Sequence, residues 1–384
     1  MDPKLSSLSR RSLIAGAAAG LVGTMSARPA AAQVSALGLS RINALARHFL
    51  STRAAPGFSV AISRGGQVLF EGAFGRADEA GRLLTTSHRL RIGSLSKVIT
   101  ATAIMMLVER QWLGLEDRVF GPGSLLGDHF GPTSGPVRQI RVSHLLGHTA
   151  GGWSNQGPDP LFFLAEGTSN DAISWTLANV PLSTMPGVRQ AYSNMGYAIL
   201  GRIIEQVTGE SYETWVRDNL LARAGAGGMY IGEPIPGQGE SRYFSRTQAL
   251  PYSISPRRLD SCGGWVGTAR ELVNLMLRID GFAGVPDLIS ASSARYMGTA
   301  FMNGSDYGRG WIVNSHFGNW WHNGILPGAS SVMGTTHDGW CFALLANGGD
   351  AQAPLWQPLE RMAGDIIRAV PEWQSLPSLR RFQN

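Results

Sequence analysis

Between Leu37 and Leu50 apolar residues recur at helical spacing. The period then drops to two: Gly57–Ser63 and Gln67–Ala73 flank Gly65-Gly66, the pattern of a β-hairpin. Helical spacing returns from Ser94 to about Gln111, with Ile99, Ala103, Met106 and Leu107 on one face. Residues 120–136, rich in Gly and Pro, read as loop, and Val142–Gly147 as a short helix. Residues 161–180 and 194–222 carry helical patterns, so the middle third is mostly α, and the second of these runs out at the glycines of Ala224–Gly228. A long loop over 233–260 precedes a helix over Ala269–Arg278 with Thr268 as its N-cap. The last third returns to strands at Gly310–Asn314, Asn319–His322, Ser330–Thr335 and Trp340–Ala346, with His337-Asp338-Gly339 as a turn, and Pro354–Ala369 closes as a helix. Strands at both ends around a helical middle predict an α/β (α+β) fold. One antiparallel sheet is built from the two termini (about 33–93 and 300–384) and flanked by helices, with a mostly helical part (about 120–260) inserted. No internal repeat is present.

At 384 residues, 43% hydrophobic and 16% charged, the chain can form a large core. Residues 1–32 read as an export signal: Ser9-Arg10-Arg11-Ser12-Leu13, an apolar run over Leu13–Val22, and Ala30-Ala31-Ala32 before Gln33. The adjacent arginines point to the twin-arginine route; a Sec signal or an uncleaved anchor is the alternative. On that reading 33–384 is the mature domain, periplasmic or secreted. Lys4, Arg10, Arg11 and Arg28 against Asp2 carry +3 of the net +6, leaving +3 on scattered arginines, which excludes a nucleic-acid footprint. No later run approaches the ~20 apolar residues of a spanning helix, so membrane contact is expected only through the signal. Cys262 and Cys341 are far apart and without metal spacing; a bridge and two buried free thiols are both open. No ligand-type cluster of His, Cys, Asp or Glu appears, so neither metal nor other cofactor is expected.

Of 33 cationic side chains only Lys4 and Lys97 are lysines, and Lys4 lies in the leader. A chain that otherwise uses arginine keeps lysine three residues after Ser94. The difference is that a buried ammonium can lose its proton and a guanidinium cannot. On a helix, Ser94 and Lys97 are neighbours, which points to a proton acceptor beside a hydroxyl nucleophile. Two further stretches could converge on them. Tyr192-Ser193-Asn194 offers a phenol and an amide, and His322-Asn323-Gly324 ends a strand where glycine would let a substrate backbone lie close. Each has an ordinary structural explanation: Ser94 as an N-cap, Tyr192 as core, His322 as a packed strand residue, and His148 is read as structural.

Taken together, Ser94-x-x-Lys97, Tyr192-x-Asn194 and His322-x-Gly324 resemble the signature of the serine β-lactamase and penicillin-binding-protein superfamily, in the branch of class C β-lactamases, DD-peptidases, D-aminopeptidases and esterases. Residues 145–151, 186–196, 263–264 and 307–311 are similar to that family's landmarks in the same order, over roughly 40–370. The resemblance implies a β-lactamase/DD-peptidase-like serine hydrolase with Ser94 as the acylated nucleophile, Lys97 as its base and Tyr192 as proton relay. The N–H groups of Ser94 and Ile325 would form the oxyanion hole, and Asn194 and Asn323 would orient the acyl part. The partner would be a small-molecule or peptide substrate: an ester or amide, a D-amino-acid peptide, or a β-lactam. A non-catalytic cell-wall-binding or sensor protein is the rival class. Three positions depart from the pattern. His322 replaces a lysine, so a fixed charge for a substrate carboxylate is expected to become pH dependent. Cys262 and Arg309 stand where small or apolar residues are usual and are expected to reshape the cleft.

Overall fold

The computed structural model describes residues 34–382 other than 54, 165 and 246–249, so the export signal expected over 1–32 lies outside the described residues. Among the described residues nine strands form two sheets: β1 (Gly57–Arg64), β2 (Gln67–Gly75), β3 (Leu90–Arg91), β4 (Tyr230–Ile231), β5 (Trp265–Gly267), β6 (Ile312–Asn314), β7 (Asn319–Leu326), β8 (Ala329–Thr335) and β9 (Trp340–Ala346). The main sheet has the order β2-β1-β9-β8-β7-β6, antiparallel throughout, so the two ends of the chain meet at the β1–β9 pair. The small sheet runs β3-β5-β4.

Period-two geometry sorts each central strand into two cores. Along β9, Trp340, Phe342, Leu344 and Ala346 join one core and Cys341, Ala343 and Leu345 the other. The first core lies under α1 (Ala36–Arg53) and α11 (Trp356–Ala369), through Ile42, Phe49, Leu359 and Ile366. The second contains α2 (Ser96–Glu109), buried from Ser96 through Leu107, as a helix apolar on every side must be. The same core takes residues from α3 (Val142–Leu146), α4 (Pro160–Phe163), α5 (Ser169–Asn179), α6 (Asn194–Thr208), α7 (Tyr212–Val216), α8 (Pro256–Leu259), α9 (Ala269–Met276) and α10 (Ala291–Met297), with α6 and α7 packed on α2 itself.

Two expected helices are broken, each at a glycine with positive φ. The 161–180 pattern splits into α4 and α5 around Gly167 (φ +102°), after which Thr168 and Asp171 form a capping box. The 194–222 pattern splits at Gly209 (φ +73°), the left-handed cap of α6. Ser94 does not open α2: it sits in a 3₁₀ turn over Gly93–Leu95, and the helix begins at Ser96. The stretch expected as a loop over 233–260 ends in the short helix α8, and its described part is tied down by Arg91, whose buried guanidinium donates to the carbonyls of Glu233, Pro234 and Pro251 and lies 4.4 Å from the Tyr243 ring centre. Backbone leaving β3 therefore enters the nucleophile turn from a fixed point.

Candidate active site

Gly93 is in the left-handed region (φ +53°), and a Cβ there would lie 3.1 Å from the Ile325 nitrogen. The turn thus presses the β7 backbone against Ser94. One turn on, Lys97 projects into a fully buried site where its Nζ reaches Ser94 Oγ at 3.0 Å, Asn194 Oδ1 at 2.7 Å and the Cys262 carbonyl at 2.7 Å. Among the described residues no carboxylate lies within ion-pair distance of it. Two of the three neighbours can only accept, while the Ser94 hydroxyl can accept or donate. One proton can therefore move between Oγ and Nζ with the two other hydrogen bonds intact. Cys262, expected to reshape the cleft, is in its wall and accepts from Lys97 through its main-chain oxygen; both cysteines are buried and free.

Two residues that the sequence did not single out hold Asn194. Asp159 Oδ2 accepts from Asn194 Nδ2 at 2.8 Å, and Asn155 Oδ1 accepts from the Asn194 N–H at 2.8 Å. A carboxylate can only accept, so it turns the amide NH₂ toward itself and the amide oxygen toward Lys97. Both ends of the Asn194 side chain are thus engaged within the protein, whereas it was expected to orient the acyl group. Burial raises the Asp159 carboxyl above its ordinary value, against the Asn194 hydrogen bond.

Tyr192 lines the cleft with its ring centre 4.9 Å from Lys97 Nζ. Its ring packs at 4.4 Å on His148, which also meets Tyr307 at 4.5 Å and Tyr197 at 5.1 Å. His148 accepts from the Ser193 N–H, and burial, then Lys97 and His322, hold it well below the usual imidazole range. His322 is buried, with Nδ1 2.7 Å from the Asn323 carbonyl and Nε2 3.1 Å from the Tyr307 hydroxyl. The carbonyl fixes the Nδ1–H tautomer, so Nε2 accepts from Tyr307. Burial and then Lys97 push His322 down to about 3. This position is therefore a neutral acceptor, which corrects the expectation of a pH-dependent charge.

Gly324 also has a different reason from the one expected. A Cβ there would meet the Ile92 carbonyl at 2.1 Å and Ser331 Oγ at 2.3 Å, so the protein's own turn before Ser94 already requires glycine at this position. Arg309 lies away from the cleft: it donates to the carbonyls of Tyr296 and Thr299 and sits 4.0 Å from the Tyr296 ring centre, anchoring α10. β6 pairs with β7 only over residues 319–321, so from His322 onward the β7 edge faces the cleft. The cleft, about 450 Å³, includes Ser94, Tyr192, Asn194, His322, Asn323 and Ile325 in its walls, with Phe162, Leu259, Ile312 and Leu326 as apolar surface. Asp159 is the one charged side chain lining it among the described residues.

A family model for β-lactamases matches residues 42–360, most of the chain. The chain belongs to the β-lactamase family. Within it, penicillin-binding protein 4* of Bacillus subtilis (strain 168) is 29% identical over 309 residues, 72% of this chain and 64% of that protein, so the chain spans less than two thirds of that relative. Esterase EstB of Burkholderia gladioli is 30% identical over 197 residues, 48% of this chain and 49% of the relative. The solved D-amino acid amidase of Ochrobactrum anthropi SV3 shares the fold, with a TM-score of 0.71 at 22% identity over 88% of this chain and 99% of that one. Members of this family are serine hydrolases.

Two outcomes are expected. Asp159→Asn, which lets the Asn194 amide turn over, should lower kcat/KM by about 10- to 100-fold, the cost of a misplaced catalytic group; steady-state kinetics within twofold of wild type would contradict this. His322 is neutral when folded down to about 3, whereas an unfolded histidine takes a proton near ~6.5. Its contribution to stability should be constant above about pH 6.5 and be lost as the pH falls toward 3. Urea unfolding against pH should show that decline and a shallower one in His322→Asn; equal slopes in the two proteins would refute it.

Proposed function

We propose that this enzyme is a serine esterase acting on uncharged esters through an acyl-enzyme on Ser94. The observation that carries this reading is the cleft wall: Phe162, Leu259, Ile312 and Leu326, a neutral His322, and, among the described residues, no lysine or arginine in the lining to receive a substrate carboxylate. A D-alanyl peptide or an opened β-lactam both present such a carboxylate, and burying it unpaired is costly. A neutral ester has no such need.

In the first step Ser94 Oγ attacks the ester carbonyl carbon and its proton passes to Lys97 Nζ along their 3.0 Å contact. The carbonyl oxygen gains negative charge beside the N–H groups of Ser94 and Ile325, a device worth ~3 kcal/mol per donor. The C–O bond to the alcohol breaks, and Tyr192 delivers a proton to the departing oxygen while taking one from Lys97. Water then attacks the acyl carbon with the same groups in reverse, releasing a carboxylic acid and restoring Ser94. Asn194 keeps Lys97 in place through both halves, and Asp159 keeps Asn194.

A panel of p-nitrophenyl acetate, nitrocefin and D-alanyl-D-alanine peptides tests the reading. Ester turnover that is lost in Ser94→Ala and exceeds the other two by about 100-fold or more is expected. Faster turnover of either carboxylate-bearing substrate would overturn it. Export is part of the same proposal, on the leader pattern of residues 1–32. N-terminal sequencing of protein recovered outside the cytoplasm should begin at Gln33, and recovery of uncleaved cytoplasmic chain would speak against it.

A further inference from the structure

Behind the catalytic cleft lies a second cavity that the steps above leave unused, with a volume of about 590 Å³, in the range of small-ligand sites. Its wall is mainly apolar and aromatic, with Trp153, Phe163, Trp175, Val180 and Met195 among its residues. The two spaces share Asp159 and are separated by neighbours that face opposite ways. Phe162 lines the cleft and Phe163 the second cavity; Tyr192 and Asn194 line the cleft, and Ala191 and Met195 the second cavity. Asp159, the common element, has both oxygens engaged within the protein, Oδ2 by Asn194 Nδ2 and Oδ1 by the Leu161 N–H.

The cavity is held open by bonded backbone. Trp153 Nε1 donates to the Val180 carbonyl, and the Ser183 and Thr184 N–H groups both donate to the Gly151 carbonyl. At its mouth Phe163 is 45% exposed and Trp175 36%, packed edge to face at 5.1 Å, with Phe162 beside them at 37%. Grouped aromatic rings left in water beside a preformed apolar cavity mark a surface that gains by being covered. Arg189 is the one cation in this wall among the described residues, and it is exposed.

We propose that this second cavity takes the long hydrocarbon arm of the ester substrate, with the scissile carbonyl at Ser94 and the chain passing Asp159. The inference rests on the ester reading above and narrows it to esters carrying a medium or long alkyl or aryl group. It requires an arm of mainly apolar chemistry, because the wall is largely apolar and aromatic and, among the described residues, its charged side chains are Asp159, bonded to Asn194 and Leu161, and the exposed Arg189.

Two substrate series test this and distinguish which side of the ester enters. One is p-nitrophenyl esters from acetyl to decanoyl; the other is acetates of alcohols from ethanol to decanol. In one series kcat/KM should rise at least tenfold from the shortest to the octyl member. The octyl-to-shortest ratio should fall at least fivefold in Trp175→Ala and in Ser183→Trp, which narrows the mouth from an exposed position. Flat profiles in both series, or a chain-length preference that neither variant changes, would overturn the proposal. A binding measurement separates its failure from failure of the esterase reading. Octanamide titrated against Ser94→Ala should change tryptophan fluorescence at concentrations at least tenfold below acetamide, and Ser183→Trp should remove that difference. If no ester is turned over but octanamide binds in this way, the cavity stands as an apolar site and the esterase reading falls. If esters are turned over and octanamide binds no better than acetamide, the cavity proposal falls alone.

Discussion

The site depends on one buried nitrogen held by neutral oxygens. Lys97 Nζ has Ser94 Oγ, Asn194 Oδ1 and the Cys262 carbonyl around it and no counter-ion among the described residues. A carboxylate in any of those places would fix the ammonium. Neutral acceptors hold the nitrogen by two of its hydrogens and leave its third position to the serine hydroxyl, whose proton it can take, and the surrounding structure serves to hold them where they are. Asp159 and Asn155 orient Asn194, the 3₁₀ turn over Gly93–Leu95 sets Ser94, and the helix that continues from Ser96 places Lys97 three residues on beside it.

The same nitrogen sets the electrostatics of its neighbours. His148 and His322 lie in one aromatic cluster with Tyr192, Tyr197 and Tyr307, and a second buried cation beside Lys97 would carry a large desolvation cost. Both imidazoles are accordingly held neutral, and each uses its ring nitrogens to fix a neighbour: His148 the Ser193 N–H, and His322 the Tyr307 hydroxyl. The cleft that results sets apolar side chains beside neutral hydrogen-bonding groups, with Asp159 its one charged side chain among the described residues, and we propose that it disfavours a substrate carboxylate. The esterase reading is a consequence of that selection rather than of any single motif.

How much of this could be read from the chain depended on whether the cause was local. The strands of the main sheet were legible because period-two burial leaves a mark in four residues or more, and the Ser94–Lys97 pair because three residues on a helix are one neighbour apart. The small sheet was not, since strands of two or three residues such as Leu90–Arg91 carry no period. The breaks at Gly167 and Gly209 were visible as glycines, but their positive φ is a property of the turn rather than of the residue type. Asp159 was hidden because it acts through Asn194, and Cys262 because its carbonyl, which every residue has, does the work. Arg309 and Gly324 were seen, yet for the wrong reasons: a side chain's direction and a backbone's closest neighbour are settled only by the assembled fold.

The claim at the centre is that the Lys97 amine, and no other cation, activates Ser94. Labelling of Ser94 by a fluorescent phosphonate, followed by intact mass and compared among wild type, Lys97→Met and Lys97→Arg, tests it most directly. The account predicts labelling at Ser94 in the wild type and a rate lower by about 100-fold or more in both variants, since a guanidinium keeps the charge and cannot take the proton. Labelling of Lys97→Arg at the wild-type rate, or a label on a residue other than Ser94, would contradict it.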